Sequence, residues 1–504
     1  MRHPGTGDKM MKKTRISAAL AALILAGSFA SCGGSPSIPA DTALSDAAAD
    51  TGTAAAEDAT TEITDKIPQG TRFDGETFTV LSREDLDWAN EIITDEMTGE
   101  IVNDAIYERE RAVEERLGVD IQVYRTPGIW GNESKFNDKI KGAVQSGDNS
   151  YQLVAGYAYF ITALASQGFF TNLLTVPYLD FDSPWWNSNL RDELTLFGQL
   201  YFAGGDLSYT MLQQMFGCFY NKDMGASYGV EDLYSVVRDG RWTYDYIYGL
   251  AASISNDVNG DGVMDVNDEY GLILPIGNVC DMFFPAFDQP LTAKDDDGNV
   301  VLRMGDQKAH DLADKVKRIY SENDGVFSLS ENEDYSTPFK EGRALLIINS
   351  LGFSKNSLRD VDINFGILPV PKYDEDQDAY HTLSQDAYSL FCVPLNAGNL
   401  DMIGAVTEAM ACESYKHVTP AYYEVAMKYK YSQDSDTVEM LDIIREGALF
   451  NFGFVNSSSC NDMIHILRDV VNGKKDYASL YAKNEAKYQK SLDKLVDAYR
   501  EMQP

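Results

Sequence analysis

Phe78-Thr79-Val80-Leu81 is a short apolar run, and Val102, Ile106, Val113 and Leu117 follow it at helical spacing with charged residues between them. Gly118 is placed to stop that helix. Val119-Asp120-Ile121-Gln122-Val123 then alternates as a half-buried strand does. Strand, helix, strand is a βαβ unit, the building block of a doubly wound α/β fold. Tyr151-Gln152-Leu153-Val154-Ala155-Gly156 reads as a further buried strand, and residues 200–206 and 218–220 add apolar runs. Arg241-Trp242-Thr243-Tyr244-Asp245 opens another helix, with Thr243 as its N-cap. Asp297-Gly298 between two short runs marks a hairpin. Ala309, Leu312, Ala313, Val316 and Ile319 mark an amphipathic helix, and residues 480–502 carry Leu492, Leu495, Val496, Tyr499 and Met502 on one face. No repeat of solenoid length is present.

The N-terminus carries Arg2, Lys9, Lys12, Lys13 and Arg15 ahead of an apolar run over 16–30. That run is short for a membrane span of about 20 residues and has the flanks of a signal peptide. Phe29-Ala30-Ser31-Cys32 resembles a bacterial lipobox, with Phe29 in place of the usual leucine. The resemblance implies removal of residues 1–31 and lipidation of Cys32. Residues 32–70 hold almost nothing large and apolar, so they cannot offset their chain entropy and read as a tether. The remaining body is long enough for two lobes.

Forty-two basic residues against 78 acidic ones leave a net charge of −36. No basic stripe offsets it, which argues against nucleic acid and anionic lipid as partners. Cys218, Cys280, Cys392, Cys412 and Cys460 form no close pair; they read mostly as buried free thiols, with one disulfide left open.

Residues 257–268 place Asp257, Asn259, Asp261, Asp265 and Asp268 at positions 1, 3, 5, 9 and 12 of an EF-hand-type loop. Gly262 sits at position 6, where the chain turns, and Val263 would offer its carbonyl at position 7. A hard cation needs that oxygen-rich shell, so structural Ca2+ is expected, with Asp268 or Glu269 closing it. The bland alternative is a solvated acidic turn. The loop occurs once, which disfavours a calcium sensor or a calcium-dependent adhesion array.

Five strings now stand in order: Phe219-Tyr220-Asn221-Lys222-Asp223-Met224, Trp242-Thr243-Tyr244-Asp245, residues 257–271, Phe339-Lys340-Glu341-Gly342-Arg343-Ala344 and Gly366-Ile367-Leu368-Pro369-Val370-Pro371. With the lipobox, this order resembles the extracellular solute-binding lipoproteins of ABC importers, the family that includes maltose-binding protein. Residues 422–430 are similar to a branch common in Gram-positive gut anaerobes. The resemblance implies a two-lobed periplasmic-binding-protein-like (type II) α/β fold. Lobe one would be 71–204 plus 384–430, and lobe two 205–383 plus 431–504. The lobes would be joined by crossings near Gly204-Gly205-Asp206 and Leu383-Ser384-Gln385. The glycine pair suits a hinge rotation, or is a simple turn. The implied protein is a lipid-anchored monomer on the outer face of a Gram-positive cell membrane. It captures a small solute, a carbohydrate by preference, and delivers it to a membrane permease without changing it.

A sugar offers flat C–H faces and a rim of hydroxyls, so its site wants aromatic plates beside Asp, Asn or Gln. At 11% aromatic residues, most rings must be core. Trp185-Trp186 lies in a polar stretch, and one of the two is expected to face the cleft or a partner. Tyr157 and Tyr159 follow a strand, at the end where open α/β sheets bind ligands. Asp206 and Tyr209 lie past the first crossing and Asp386 near the second. Asp281, Phe283 and Phe284 follow residues 275–280, Asn349 ends the apolar run 344–348, and Trp130 stands beside Gly128 and Gly131. Trp242 reads as core. The rival class is a secreted carbohydrate-active enzyme with a carboxylate pair. Gly225-Ala226-Ser227-Tyr228-Gly229 fits a serine-hydrolase pattern but is placed in a polar loop. His3, His310, His381, His417 and His465 show no metal-ligand spacing.

Overall fold

The computed structural model describes residues 63–85, 88–428, 435–473 and 475–502. The signal segment, Cys32 and the tether up to residue 62 lie outside the described residues. Among the described residues twelve strands follow in chain order: β1 (Glu76–Arg83), β2 (Val119–Thr126), β3 (Leu153–Tyr157), β4 (Phe216–Asn221), β5 (Ser255–Asn256), β6 (Glu269–Ile273), β7 (Thr292–Lys294), β8 (Val300–Leu302), β9 (Val326–Phe327), β10 (Ala344–Ser350), β11 (Phe365–Leu368) and β12 (Ser389–Cys392).

One sheet has the order β12-β3-β1-β2. In it β1 runs parallel to both β2 and β3, and β12 is antiparallel to β3. The helix Ile101–Leu117 connects β1 to β2 and buries Val102, Ile106, Val113 and Leu117. Gly118 ends it at φ 64°, a left-handed turn that costs glycine little, and its N–H returns to the Glu114 carbonyl. In β2, Val119 and Ile121 are buried while Asp120 and Gln122 are exposed, the alternation of a sheet with one wet face.

The second sheet has the order β11-β4-β10-β6-β5, with β9 also paired to β6. Asn221 ends β4 and caps the helix Lys222–Tyr228 by accepting the Met224 N–H at 3.0 Å. Ser227 lies inside that helix, not in a loop, and its hydroxyl donates to the Asp223 carbonyl. The strained strand-to-helix elbow that a nucleophilic serine needs is therefore missing at this position. Thr243 caps the helix Tyr244–Ala252, and the buried Trp242 donates its indole N–H to the Pro369 carbonyl at 2.8 Å. β7 and β8 form the expected hairpin with Gly298 at φ 77°. The helices Gln307–Ser321 and Tyr477–Glu501 bury the apolar stripes their spacing predicts. Cys218, Cys280, Cys392, Cys412 and Cys460 are all buried and free.

The chain leaves the first sheet after β3, builds the second, and returns to the first as β12. The segments that cross run side by side: Phe216 N–H donates to the Leu383 carbonyl at 3.0 Å and Gln385 N–H to the Gln214 carbonyl at 2.8 Å. The outward crossing thus lies at 214–216, further along the chain than the glycine pair. Gly204 and Gly205 belong to the first sheet's edge, where Ala203 pairs with Phe391 and Gly205 with Trp186. Neither glycine adopts a left-handed φ. Their role is close approach: a Cβ on Gly205 would stand 2.1 Å from the Trp185 carbonyl oxygen, and one on Gly204 would stand 2.4 Å from the Met211 methyl. The end of the tether also differs from expectation. Over 63–70 it lies on the body, with Ile67 buried and Asp65 paired to Arg116. Lys66 pairs with Asp180 at 2.6 Å as well, so one buried apolar side chain and two ion pairs hold this short stretch down.

Because the atom opposing a new methyl at Gly205 is backbone, it cannot swing aside. Gly205→Ala is expected to lower stability by about 1–3 kcal/mol in urea unfolding; an unchanged midpoint would contradict the close-approach account.

Candidate functional site

Three parallel strands end in aromatic residues on the same edge of the first sheet. Trp88 follows β1, Trp130 follows β2, and Tyr157, Tyr159 and Phe160 close β3 and start the short helix Ala158–Ile161. The rings meet: Phe160 lies 5.2 Å from Trp130, 5.1 Å from Tyr157 and 4.9 Å from Tyr159, centroid to centroid. Trp130 is 65% exposed, unusual for so large an apolar ring. Arg83, at the end of β1, places its guanidinium 4.7 Å from the Trp88 ring centre and 5.3 Å from that of Tyr157. The group stands at the carboxyl ends of parallel strands, where open α/β sheets bind ligands.

Polar groups meet these rings from the return crossing and the C-terminal segment. Tyr157 donates to Asp386 at 3.4 Å, and Gln385 holds the same carboxylate at 2.6 Å. Tyr159 donates to Asp462, and its ring stacks on His465 at 5.9 Å. Arg468 grips Asp281 through Nε at 2.9 and 3.0 Å and through Nη2. Burial pushes the Asp281 carboxyl up to about 7, outweighing the attraction of Arg468, and pushes Asp386 up to about 6. Burial, with Arg468 nearby, holds His465 down to about 4, so its imidazole is neutral at physiological pH. The cavity bounded by Tyr159, Asn278, Asp281, Asp386 and Arg468 is about 20 Å3, room for a water. In this arrangement the two sides touch.

Of the residues singled out from sequence, Tyr157, Tyr159, Asp281 and Asp386 are brought together here, with Trp130 beside them. Trp185, Trp186 and Asp206 line a separate cavity. Tyr209 is buried and stacks on Tyr422 at 5.5 Å. Phe283 and Phe284 are core, Phe283 packing on Phe287 at 5.4 Å. Asn349 donates to the Tyr335 hydroxyl at 2.8 Å. Sequence reasoning missed Trp88, Phe160, Gln385, Asp462, His465 and Arg468. The one local signal was Asn461-Asp462, a turn-forming pair that does adopt positive φ at both residues.

In the loop 257–268, Gly262 has φ 80°, as the sharp turn requires. The Asp257 carboxylate accepts the Gly260 and Gly262 N–H groups at 2.7 and 2.8 Å. Asn259 accepts from Asp261, and Asp268 from Val258 and Asp265, at 2.8 to 2.9 Å. The all-oxygen donor set suits calcium chemically. Among the described residues, however, no three His, Cys, Asp or Glu side chains converge as a metal cage.

No protein-family model matches the sequence, and no curated protein matches it either. Solved structures do match in shape. The galacto-N-biose/lacto-N-biose I-binding protein of an ABC transporter from Bifidobacterium longum superposes with a TM-score of 0.58 at 12% identity, over 84% of this chain and 98% of that one. The cyclic α-maltosyl-1,6-maltose-binding protein from Arthrobacter globiformis gives 0.57 at 12%, over 84% and 99%. The chain has the two-lobed fold of ABC-transporter solute-binding proteins. UgpB from Mycobacterium tuberculosis, solved with glycerophosphocholine, gives 0.55 at 13% identity over 84% and 99%.

In this binding-protein fold the two adjacent tryptophans serve the frame of the first lobe. Both are buried, contrary to the expectation that one faces outward. Pro184 and Trp185 lie in a turn and Trp186 makes only an isolated bridge to Gly205, so there is no regular strand here and neighbouring side chains need not point to opposite faces. Both indole N–H groups converge on one carboxylate: Trp185 on Glu408 Oε1 at 3.1 Å and Trp186 on Oε2 at 2.8 Å. Burial raises Glu408 to about 7, with the indole hydrogen bonds opposing. The folded state therefore holds this proton up to about pH 7, whereas an unfolded chain releases it near 4.5. Its contribution to stability is full below that lower value and is lost as pH rises through the upper one. Urea unfolding of Glu408→Gln should show a smaller loss of stability between pH 5 and pH 8 than the wild type, by up to about 3 kcal/mol. Equal losses would show that Glu408 does not titrate there.

Proposed function

We propose that this protein captures a small carbohydrate in the cleft between its lobes and delivers it to an ABC permease. The observation that carries the reading is the aromatic tier of Trp130, Tyr159 and Phe160 facing hydrogen-bonding groups of Asp281, Asp386 and Arg468. Rings stack on a sugar's C–H faces while the polar groups take its hydroxyls. The rings belong to the first lobe, Asp281 and Arg468 to the second, and Asp386 to the return crossing between them, so a guest that touches all three favours the closed form, and closure needs no covalent step. The solved proteins of like fold, two of them named for oligosaccharides and one solved with glycerophosphocholine, support a small-molecule cargo over a macromolecular one. The lipobox-like Phe29-Ala30-Ser31-Cys32 supports a lipid anchor on the outer face of the membrane, and among the described residues no helix is long and apolar enough to cross it.

Raised carboxyls such as those of Asp281 and Asp386 are also what a glycosidase would use. Here Arg468 grips Asp281 on both oxygens, which leaves it poorly placed to protonate a leaving group. Incubation with the bound oligosaccharide, followed by chromatography, should return it intact; released monosaccharide would move the protein to the enzyme class.

A thermal-shift panel of mono- and oligosaccharides, peptides and a polyol phosphodiester identifies the cargo class, since a ligand of the folded state raises the unfolding temperature by mass action. For the sugar so found, Trp130→Ala should weaken binding about 10- to 100-fold by calorimetry, the effect of losing a stacking platform of about 1.5–3 kcal/mol, with unfolding unchanged because the ring is exposed. Undiminished affinity would remove Trp130 from the site. We also propose that the loop 257–268 is a structural calcium site, its side chains gathering when the ion binds. EDTA should then lower the unfolding temperature and calcium restore it, whereas no shift in either direction would reduce the loop to a solvated turn.

A further inference from the structure

The cleft's polar groups are out of electrical balance. Arg468 is the one cation among the described residues that line its cavity, and Asp281 and Asp386 both line it. Glu331 stands just behind, accepting the Asn278 N–H at 2.8 Å, and its charge opposes those of Asp281 and Asp386. Asp462 adds a fourth carboxylate beside the Tyr159 hydroxyl. His465 is held neutral, and Arg83 under the aromatic tier already faces Glu91 at 3.5 Å. Four carboxylates thus meet a single guanidinium, and that guanidinium is committed to Asp281.

Asp386 is left with capacity to spare. Its Oδ1 takes both the Gln385 amide and the Tyr157 hydroxyl, at 2.6 and 3.4 Å. Neither donor carries a charge, and Oδ2 accepts no hydrogen bond from the described residues. Nor do these acids form a metal cage: among the described residues no three His, Cys, Asp or Glu side chains converge on one point. Spread-out charge of this kind suits an organic cation better than a divalent ion, which needs its oxygens gathered in one shell. Across the cleft Trp130 presents an indole that is mostly exposed, and an open aromatic face attracts a cation as well as a sugar's C–H face. Closing the lobes over a neutral guest would take the carboxylates out of water with their repulsion unrelieved, which is costly. A guest that carries an ammonium cancels part of that charge as the cleft shuts.

We propose that the cleft selects an amino sugar, a saccharide whose free amine is protonated. The ring lies against the tier of Trp130, Tyr159 and Phe160, and Asp386 receives the ammonium with Glu331 behind it. The inference rests on the carbohydrate reading of the same cleft and adds a charge to the cargo.

The test is calorimetry on the protein at pH 7, where Asp386, at about 6, is mostly ionised. The probes are D-glucosamine, D-galactosamine and the β-1,4-linked glucosamine disaccharide, each against its N-acetylated form. At least one amine should bind fivefold or more tighter than its acetylated partner. Glu331→Gln and Asp386→Asn keep an accepting oxygen and lose the charge, so each should cut that ratio at least threefold, whatever it does to the absolute affinities. A smaller ratio in every pair, or a ratio unmoved in both variants, would overturn the charge selection and leave carbohydrate capture standing. Failure of every saccharide to bind, amine or neutral, would sink the two together.

Discussion

Two stretches of backbone, 214–216 and 383–385, lie antiparallel between the sheets, and the rest of the architecture hangs from them. Phe216 is both the last residue of one crossing and the first of β4, so the hydrogen bond from its N–H to Leu383 sets where the second sheet starts. The return strand leads within a few residues into β12, which completes the first sheet. The Ser384 hydroxyl adds a bond to the Met211 carbonyl at 2.9 Å, and Thr382 adds one to that of Phe216 at 2.8 Å. A pair of strands tied this way twists more readily than it stretches or separates, as a hinge between lobes requires.

Beside the crossings sits a buried polar bolt. Glu91 accepts hydroxyls from Ser208 at 2.6 Å, Thr210 at 2.7 Å and Ser389 at 2.5 Å, and lies 3.5 Å from the fully buried Arg83. Arg83 in turn donates to the Ala387 carbonyl at 2.8 Å. Burying a charge pair is costly unless the remaining lone pairs and protons find partners. Here the hydroxyls come from the approach to one crossing and from the strand after the other. The same arginine lies under the aromatic tier of the cleft, so the platform and the hinge share one anchored residue.

Much of the fold was legible because local chemistry and burial agree. The βαβ start, the Thr243 cap, the Asp297-Gly298 hairpin and the terminal amphipathic helices depend on neighbours in sequence, and each forms where its pattern indicates. The crossing was displaced because two adjacent glycines look alike whether they supply rotation or room; only the Trp185 carbonyl over Gly205 shows which. The site was half legible for a related reason. Tyr157 and Tyr159 follow a recognisable strand, and the end of a parallel strand is a rule of position. Arg468, His465 and Asp462 come from a segment with no periodicity of its own, brought to the cleft by long-range packing. The tryptophan pair misled because the partner that buries both indoles, Glu408, is more than two hundred residues away.

The five thiols of the described body bear on how the molecule meets its surroundings. All are buried, and burial raises each well above the ordinary cysteine range, Cys280 and Cys412 to about 11 and Cys460 to about 12. A thiolate is the reactive form, so the native body has almost none to offer to oxidants or alkylating agents. Sulfur chemistry at these five residues waits on unfolding, and the rate at which a maleimide consumes them is a clock for how often the protein opens.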